Sequence, residues 1–169
     1  DLFKDRHAIY DCLIGHARGL DRRDPALIMS AYHPDATEDH GAFSGSASGF
    51  VAFIFEFYDS IGVWQTTHRV NQSLIEFDGP DTASVETYTL DFLDTDTESG
   101  KVARTIGGRY LDRFERRAGE WKIAHRSYVM DWNRNESSAV DMDGMYFGDL
   151  ARGRRDTEDK SYSFLSSQL

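Results

Sequence analysis

Apolar residues follow a helical period near the start of the chain and switch to alternation past its middle. Over residues 3–20, Ile9, Leu13, His16 and Leu20 recur at spacings of three and four and so share one face. His16 is the polar exception in that stripe. Asp24-Pro25 reads as an N-cap followed by proline in the first turn of a second, short helix, with Leu27, Ile28, Ala31 and Tyr32 on its apolar side. His33-Pro34-Asp35 stops it. Residues 36–43 fit a short strand that carries His40. Ser46 and Ser48 are candidate caps for a third helix, GFVAFIFEFYDSIG, whose Phe50, Phe53, Ile54, Phe57 and Tyr58 form a wide apolar face.

After that the period is two. Residues 64–77 predict a strand ending at Asp78-Gly79-Pro80-Asp81, a strong turn signal. Further strands are predicted over 82–94, 102–116 and 120–132, with Gly107-Gly108 marking a bend or bulge and Ala118-Gly119 a hairpin turn. Helices followed by a run of antiparallel strands indicate an α+β fold, its helices packed on one face of a curved sheet. A sheet curled around a helix encloses a cavity suited to a small molecule. Residues 1–132 are read as this domain. Residues 133–169 are more polar and lack a clear period, as expected of an extended or partly disordered arm lying on the domain or on a neighbouring subunit.

Composition narrows the partners. A net charge of −10 over 169 residues argues against nucleic acid and anionic membrane, both of which select basic faces. The single cysteine, Cys12, excludes an internal disulfide and reads as a small buried hydrophobe. No apolar run reaches transmembrane length, and no signal peptide is visible. A start at Asp1 without methionine is compatible with removal of an upstream segment, and a cytoplasmic location is the expectation.

The candidate chemistry centres on Asp21 and His68. A carboxylate that orients an imidazole is the smallest device for taking a proton from carbon near neutral pH. His68 shares a strand face with Trp64, Thr66, Val70 and Leu74 and is expected to point inward. The competing reading is a buried histidine with satisfied hydrogen bonds, and a solvated loop charge for Asp21. Both stay open on spacing alone. His16 and His40 lie on elements expected to line the same cavity. His33, Asp35 and His125 form a weak candidate for a two-histidine, one-carboxylate iron site, for which turn chemistry is the simpler explanation. Gly107-Gly108 lacks the lysine and hydroxyl residue of a phosphate loop, and no Gly-x-Ser-x-Gly elbow occurs.

Taken together, GLDRRD with Asp21, YHPDATEDHG, TTHRVN with His68, and GGRYLDRFERRAGEWKI resemble the SnoaL-like family, within the cone-shaped α+β fold shared with nuclear transport factor. The branch most similar holds scytalone dehydratase, the bile-acid 7α-dehydratases and hexachlorocyclohexane dehydrochlorinase. The likeness covers about residues 3–132. It implies a cone with an internal pocket, an Asp21–His68 dyad, a pocket arginine at Arg126 and a pocket acid at Asp91. His16 stands where relatives carry tyrosine or lysine, and His40 where a pocket tyrosine is expected. The resemblance further implies a homotrimer that works without a cofactor and takes a small hydrophobic cyclic substrate.

The function expected is a cofactor-independent lyase of dehydratase type. His68 would act as base, Asp21 would orient it, His16 or His40 would assist the leaving group, and Arg126 would stabilise developing negative charge. A dehydrohalogenase is an alternative. So is a ketosteroid-type isomerase with Asp91 or Asp21 as base and Tyr88, Tyr110 or Tyr128 as donor. A non-catalytic ligand carrier or dioxygenase small-subunit-like protein is the third.

Overall fold

In the computed structural model, residues 1–165 are described, the side chain of Tyr146 excepted. Helix α1 (Leu2–Arg22) is started by the Asp1 carboxylate, which accepts from the Phe3 amide, and ended by Arg23 in the left-handed region. Its buried side carries Ile9, Leu13, His16 and Leu20, the stripe expected from their spacing. Asp24 caps helix α2 (Pro25–Ser30), with Pro25 in the first turn. A Cβ at Gly19 would stand 2.6 Å from Ile28 Cγ1, so the α1–α2 corner closes only around a glycine.

Strand β1 (Tyr32–Asp39) follows at once. Tyr32 and His33 therefore belong to a strand rather than to the end of α2, and His40 lies just past the strand's end. Proline at 34 fits here because β1 and β6 are out of register between Tyr32 and Thr37. Strand β2 (Ser44–Ser46) leads into helix α3 (Ala47–Ser60), whose N-cap is Ser46. Four long strands complete the sheet: β3 (Val63–Phe77), β4 (Thr82–Thr97), β5 (Gly100–Arg117) and β6 (Glu120–Ser137).

The strand order is β2-β1-β6-β5-β4-β3, an open mixed sheet in which β1 runs parallel to β6 and all other neighbours are antiparallel. Register slips at Val63/Gln65 and Val70/Ser73 on β3, and opposite Gly107/Gly108 and Arg113/Phe114 on β6, mark bulges that curl the sheet around α1 and α3. The slip after Val70 places one extra residue on β3. Inward residues change there from Thr66, His68 and Val70 to Ser73, Ile75 and Phe77. Leu74, expected on the His68 face, is thereby turned out to solvent at 60% exposure.

The core fills one end of the curl, where Ile9 and Leu13 of α1 meet Ile75, Val85, Phe114 and Ile123 of the sheet. The other end stays hollow. After β6 the chain makes a 3-10 turn (Met145–Asp149) and helix α4 (Lys160–Phe164). This stretch docks on the domain: Arg155 donates to the Val63 carbonyl, Tyr162 to Asp24, and Arg22 pairs with Asp159. The last four residues of the arm lie outside the described residues. Among the described residues no helix is long and apolar enough to cross a membrane.

Candidate active site

The hollow end encloses a cavity of about 600 Å³ between the last turn of α1, helix α3 and the inner face of β3 to β6. Its walls are mostly apolar, with Phe50, Phe53, Ile54 and Phe57 from α3 facing Leu93, Ile106 and Met130 from the sheet. Polar groups are few and gathered: His40, His68, Asp91 and the tyrosines Tyr58, Tyr110 and Tyr128. An apolar chamber with a small convergent polar set is the usual form of a small-molecule site.

Asp21, in the last turn of α1, meets His68 in the middle of β3. The His68 ring donates through Nδ1 to Asp21 Oδ1 at 2.7 Å. The same carboxylate accepts from the His68 backbone amide and from the Thr66 hydroxyl at 3.0–3.1 Å. With Nδ1–H committed, Nε2 is the free lone pair, and it receives the Tyr58 hydroxyl at 3.3 Å. Burial works against the charged form of His68, but the Asp21 hydrogen bond and the charge of Asp91 outweigh it and hold its pKa above 6.5. A second, shallower hollow lined by Arg18 and Ser161 lies on the far side of Asp21 and His68. His68 thus borders both hollows, while Asp21 borders the second, beside Ser161 of α4.

Asp91 is the Cα partner of His68 across β3 and β4, and the residue is only 6% exposed. Burial raises its pKa and the facing His68 opposes that rise. One of its oxygens accepts from Thr89 and the other has no partner among the described residues. The Tyr128 hydroxyl lies against Thr89 and Asp91 without a bond of normal geometry. Burial pushes the Tyr128 phenol up to about 12 and those of Tyr58 and Tyr110 higher still, so all three remain neutral donors.

Two expected pocket residues stand one layer back. Arg126, fully buried, forms a two-pronged pair with Asp112 at 2.7 Å and lies 3.7 Å over the Tyr110 ring, which separates it from the cavity. Its third donor reaches His16 Nδ1 at 3.1 Å. His16 then has Nε2 against the Tyr32 hydroxyl at 3.1 Å. Burial, and then the charge of Arg126, hold the His16 pKa well below the ordinary imidazole range, so this ring is neutral. His16 and Arg126 are therefore not among the residues lining the cavity. His40 does line it, and its Nδ1 is 3.1 Å from Glu38 Oε1.

Sequence reasoning missed Glu38, Asp112 and Tyr58. Asp112 could have been found, because it alternates with Tyr110 and Phe114 on β5 and stands opposite Arg126 in the hairpin. Tyr58 is the polar tip of the Phe50–Ile54–Tyr58 ridge and reads from spacing as one more member of the apolar face of α3. Glu38 gave no signal, since one carboxylate among Asp35, Glu38 and Asp39 looks like its neighbours.

The remaining candidates are committed elsewhere. His33 contacts the Glu115 carbonyl, Asp35 pairs with Arg117, and His125 bonds to Thr37 and Ser127. They make no ligand set among the described residues. Cys12 donates to the Trp121 carbonyl and burial raises its thiol to about 11, too high for a nucleophile at neutral pH.

The family model for the SnoaL-like domain matches residues 2–127. No curated protein matches in sequence. Among solved structures, the chain is similar to a hexachlorocyclohexane dehydrochlorinase (LinA, type 2), with a TM-score of 0.74, 19% identity, and coverage of 85% of this chain and 97% of that one. It is similar to a provisionally assigned scytalone dehydratase from Novosphingobium aromaticivorans, with a TM-score of 0.68, 16% identity, and coverage of 82% and 91%. It is also similar to a protein of unknown function from Mycobacterium tuberculosis, with a TM-score of 0.60, 16% identity, and coverage of 96% and 85%. At these identities the likeness concerns the fold.

Proposed function

Because the chain belongs to the SnoaL-like family, we propose that it is a cofactor-independent lyase that removes water from a hydrophobic cyclic substrate. The observation that carries this reading is the 2.7 Å contact between Asp21 and His68 Nδ1, with the opposite ring nitrogen turned to an apolar cavity. His68 Nε2 takes a proton from a carbon next to an activating carbonyl. Asp21 fixes the tautomer and stabilises the imidazolium that forms. Tyr58, already bonded to Nε2, marks where the acidic C–H arrives and donates to substrate oxygen once displaced. Loss of a proton and a hydroxide conserves oxidation state, so the scheme calls for no redox partner. A ligand carrier or structural subunit would have no need of the pair.

A second reading is favoured by the unpartnered Asp91 oxygen and the Tyr128 hydroxyl beside it. A carboxylate base facing a neutral phenol suits isomerisation of an unsaturated ketone. We also propose a homo-oligomer, with Leu74 and Leu111 on the outer sheet face, 60% and 40% exposed, as the surface it covers.

The test is incubation with a panel of alicyclic β-hydroxy ketones and β,γ-unsaturated ketones: dehydration lowers the mass of the first by one water, and isomerisation moves the double bond of the second at unchanged mass. His68→Gln and Asp21→Asn are expected to lower turnover by about 10²–10⁴-fold with unchanged circular dichroism. Wild-type rates in either variant would remove the dyad.

A further inference from the structure

The cavity holds a second imidazole anchored as His68 is. His40 Nδ1 lies 3.1 Å from Glu38 Oε1, and Glu38 is buried to 1% exposure. The His40 ring is parallel to Tyr128 at 4.6 Å and packs on Phe50 at 4.7 Å, so its plane is fixed from both sides. Its side chain is 23% exposed, enough to exchange protons with water at the rim.

The direction of every proton behind this ring follows from Arg126. A guanidinium only donates, so His16 Nδ1 accepts and His16 Nε2 carries the hydrogen. That hydrogen goes to the Tyr32 oxygen, and the Tyr32 hydroxyl then donates to Glu38 Oε2 at 2.6 Å. Glu38 is left to accept from His40 Nδ1–H, and His40 Nε2 is left for the cavity. Among the described residues the Glu38 carboxylate is hydrogen-bonded to Tyr32 and His40, while Arg126, its neighbour across β1 and β6, is committed to Asp112 and His16.

We propose that His40, held by Glu38, is the acid that protonates the departing hydroxyl. Glu38 is the positioning residue, and His16 and Tyr32 hold Glu38 in turn. The inference rests on His68 being the base. In the step, the C–H electron pair becomes the new C=C bond as His68 Nε2 takes the proton. The C–O bond breaks with its electrons on oxygen, and His40 Nε2–H supplies the proton that completes water. The enzyme ends with His68 charged and His40 neutral, and exchange with solvent restores both.

The experiment is long-range proton–nitrogen NMR on the full chain carrying ¹⁵N-histidine, recorded where the rings are neutral. His16 and His40 are expected to show opposite tautomers, with hydrogen on Nε2 in His16 and on Nδ1 in His40. Glu38→Gln is expected to abolish the His40 preference and leave His68 unchanged. Adding trans-2-decalol, an apolar cyclic alcohol, should shift the Nε2 resonances of both His40 and His68 saturably. Hydrogen on Nε2 of His40 in the wild-type chain overturns the proposal. A shift at His68 without one at His40 overturns it too, while leaving the base in place. Silence at both rings overturns it together with the pocket reading.

Kinetics supply a second arm. Chloride leaves without a proton, so His40→Gln should slow elimination from a β-hydroxy ketone at least about tenfold more than from its β-chloro counterpart. His68→Gln should slow both alike. An equal effect of His40→Gln on the two leaving groups argues against His40 as the acid.

Discussion

His68 and Asp91 face each other across neighbouring strands, and both side chains enter the cavity. Each biases the other's proton: the Asp91 charge favours the His68 imidazolium, and His68 pulls Asp91 down against the rise caused by burial. A base must be neutral, so kcat/KM should rise with pH through a value above 6.5. Asp91→Asn removes a facing negative charge and should move that acid limb to lower pH. A limb that stays in place would show that the two groups do not couple. The same shift sets a sign for stability. Because the folded value is raised, the gain from His68 is complete below the unfolded value of 6.5 and is lost as pH climbs through the folded one.

The Asp112–Arg126 pair is fully buried. Arg126→Met would strand the Asp112 carboxylate and should cost about 3–5 kcal/mol, read from urea unfolding. Adding Asp112→Asn should cost less than the sum of the two single changes, since it removes the stranded charge. A near-zero loss in Arg126→Met would contradict the pairing.

Gly108 sits under the Tyr128 ring. A Cβ there would come within 2.4 Å of the Tyr128 hydroxyl and 2.7 Å of the Val129 carbonyl. Gly108→Ala should therefore displace Tyr128 and destabilise the domain by about 1–3 kcal/mol, measured as a lowered denaturation midpoint. It should also disturb the His40 resonances, because Tyr128 stacks on that ring.

Much of the fold was legible because it follows local rules: the stripe of α1, the Asp24-Pro25 cap, and the turns at Asp78-Gly79 and Ala118-Gly119. What escaped depends on neighbours distant in sequence. The bulge after Val70 reverses the faces of β3 and could not be read from alternation, although Ile75 and Phe77 on the apparent outer face were its trace. On β4 the inward residues include Thr87, Thr89 and Asp91, while Tyr88, Leu90 and Phe92 point outward. That inversion is what a polar site on a sheet requires, and it defeats a rule that sends apolar residues in. Asp21, His68, His40 and Asp91 were identifiable as candidates from residue type and resemblance. The retreat of His16 and Arg126 behind Tyr32 and Tyr110 was not, since both are set by which ring happens to stand in front.

Asp21 holds the ring of His68, its backbone amide and the neighbouring Thr66 hydroxyl at once. Helix and sheet are therefore riveted together at the point where chemistry is proposed, rather than bearing it on a loop. The His68 amide should accordingly exchange with deuterium as slowly as the amides of the central strands, opening only when the domain opens. On heating, the ability to turn over substrate and the folded state itself should disappear in a single transition. A site made this way has no loosened intermediate in which the protein is intact and the proton-transfer pair is not.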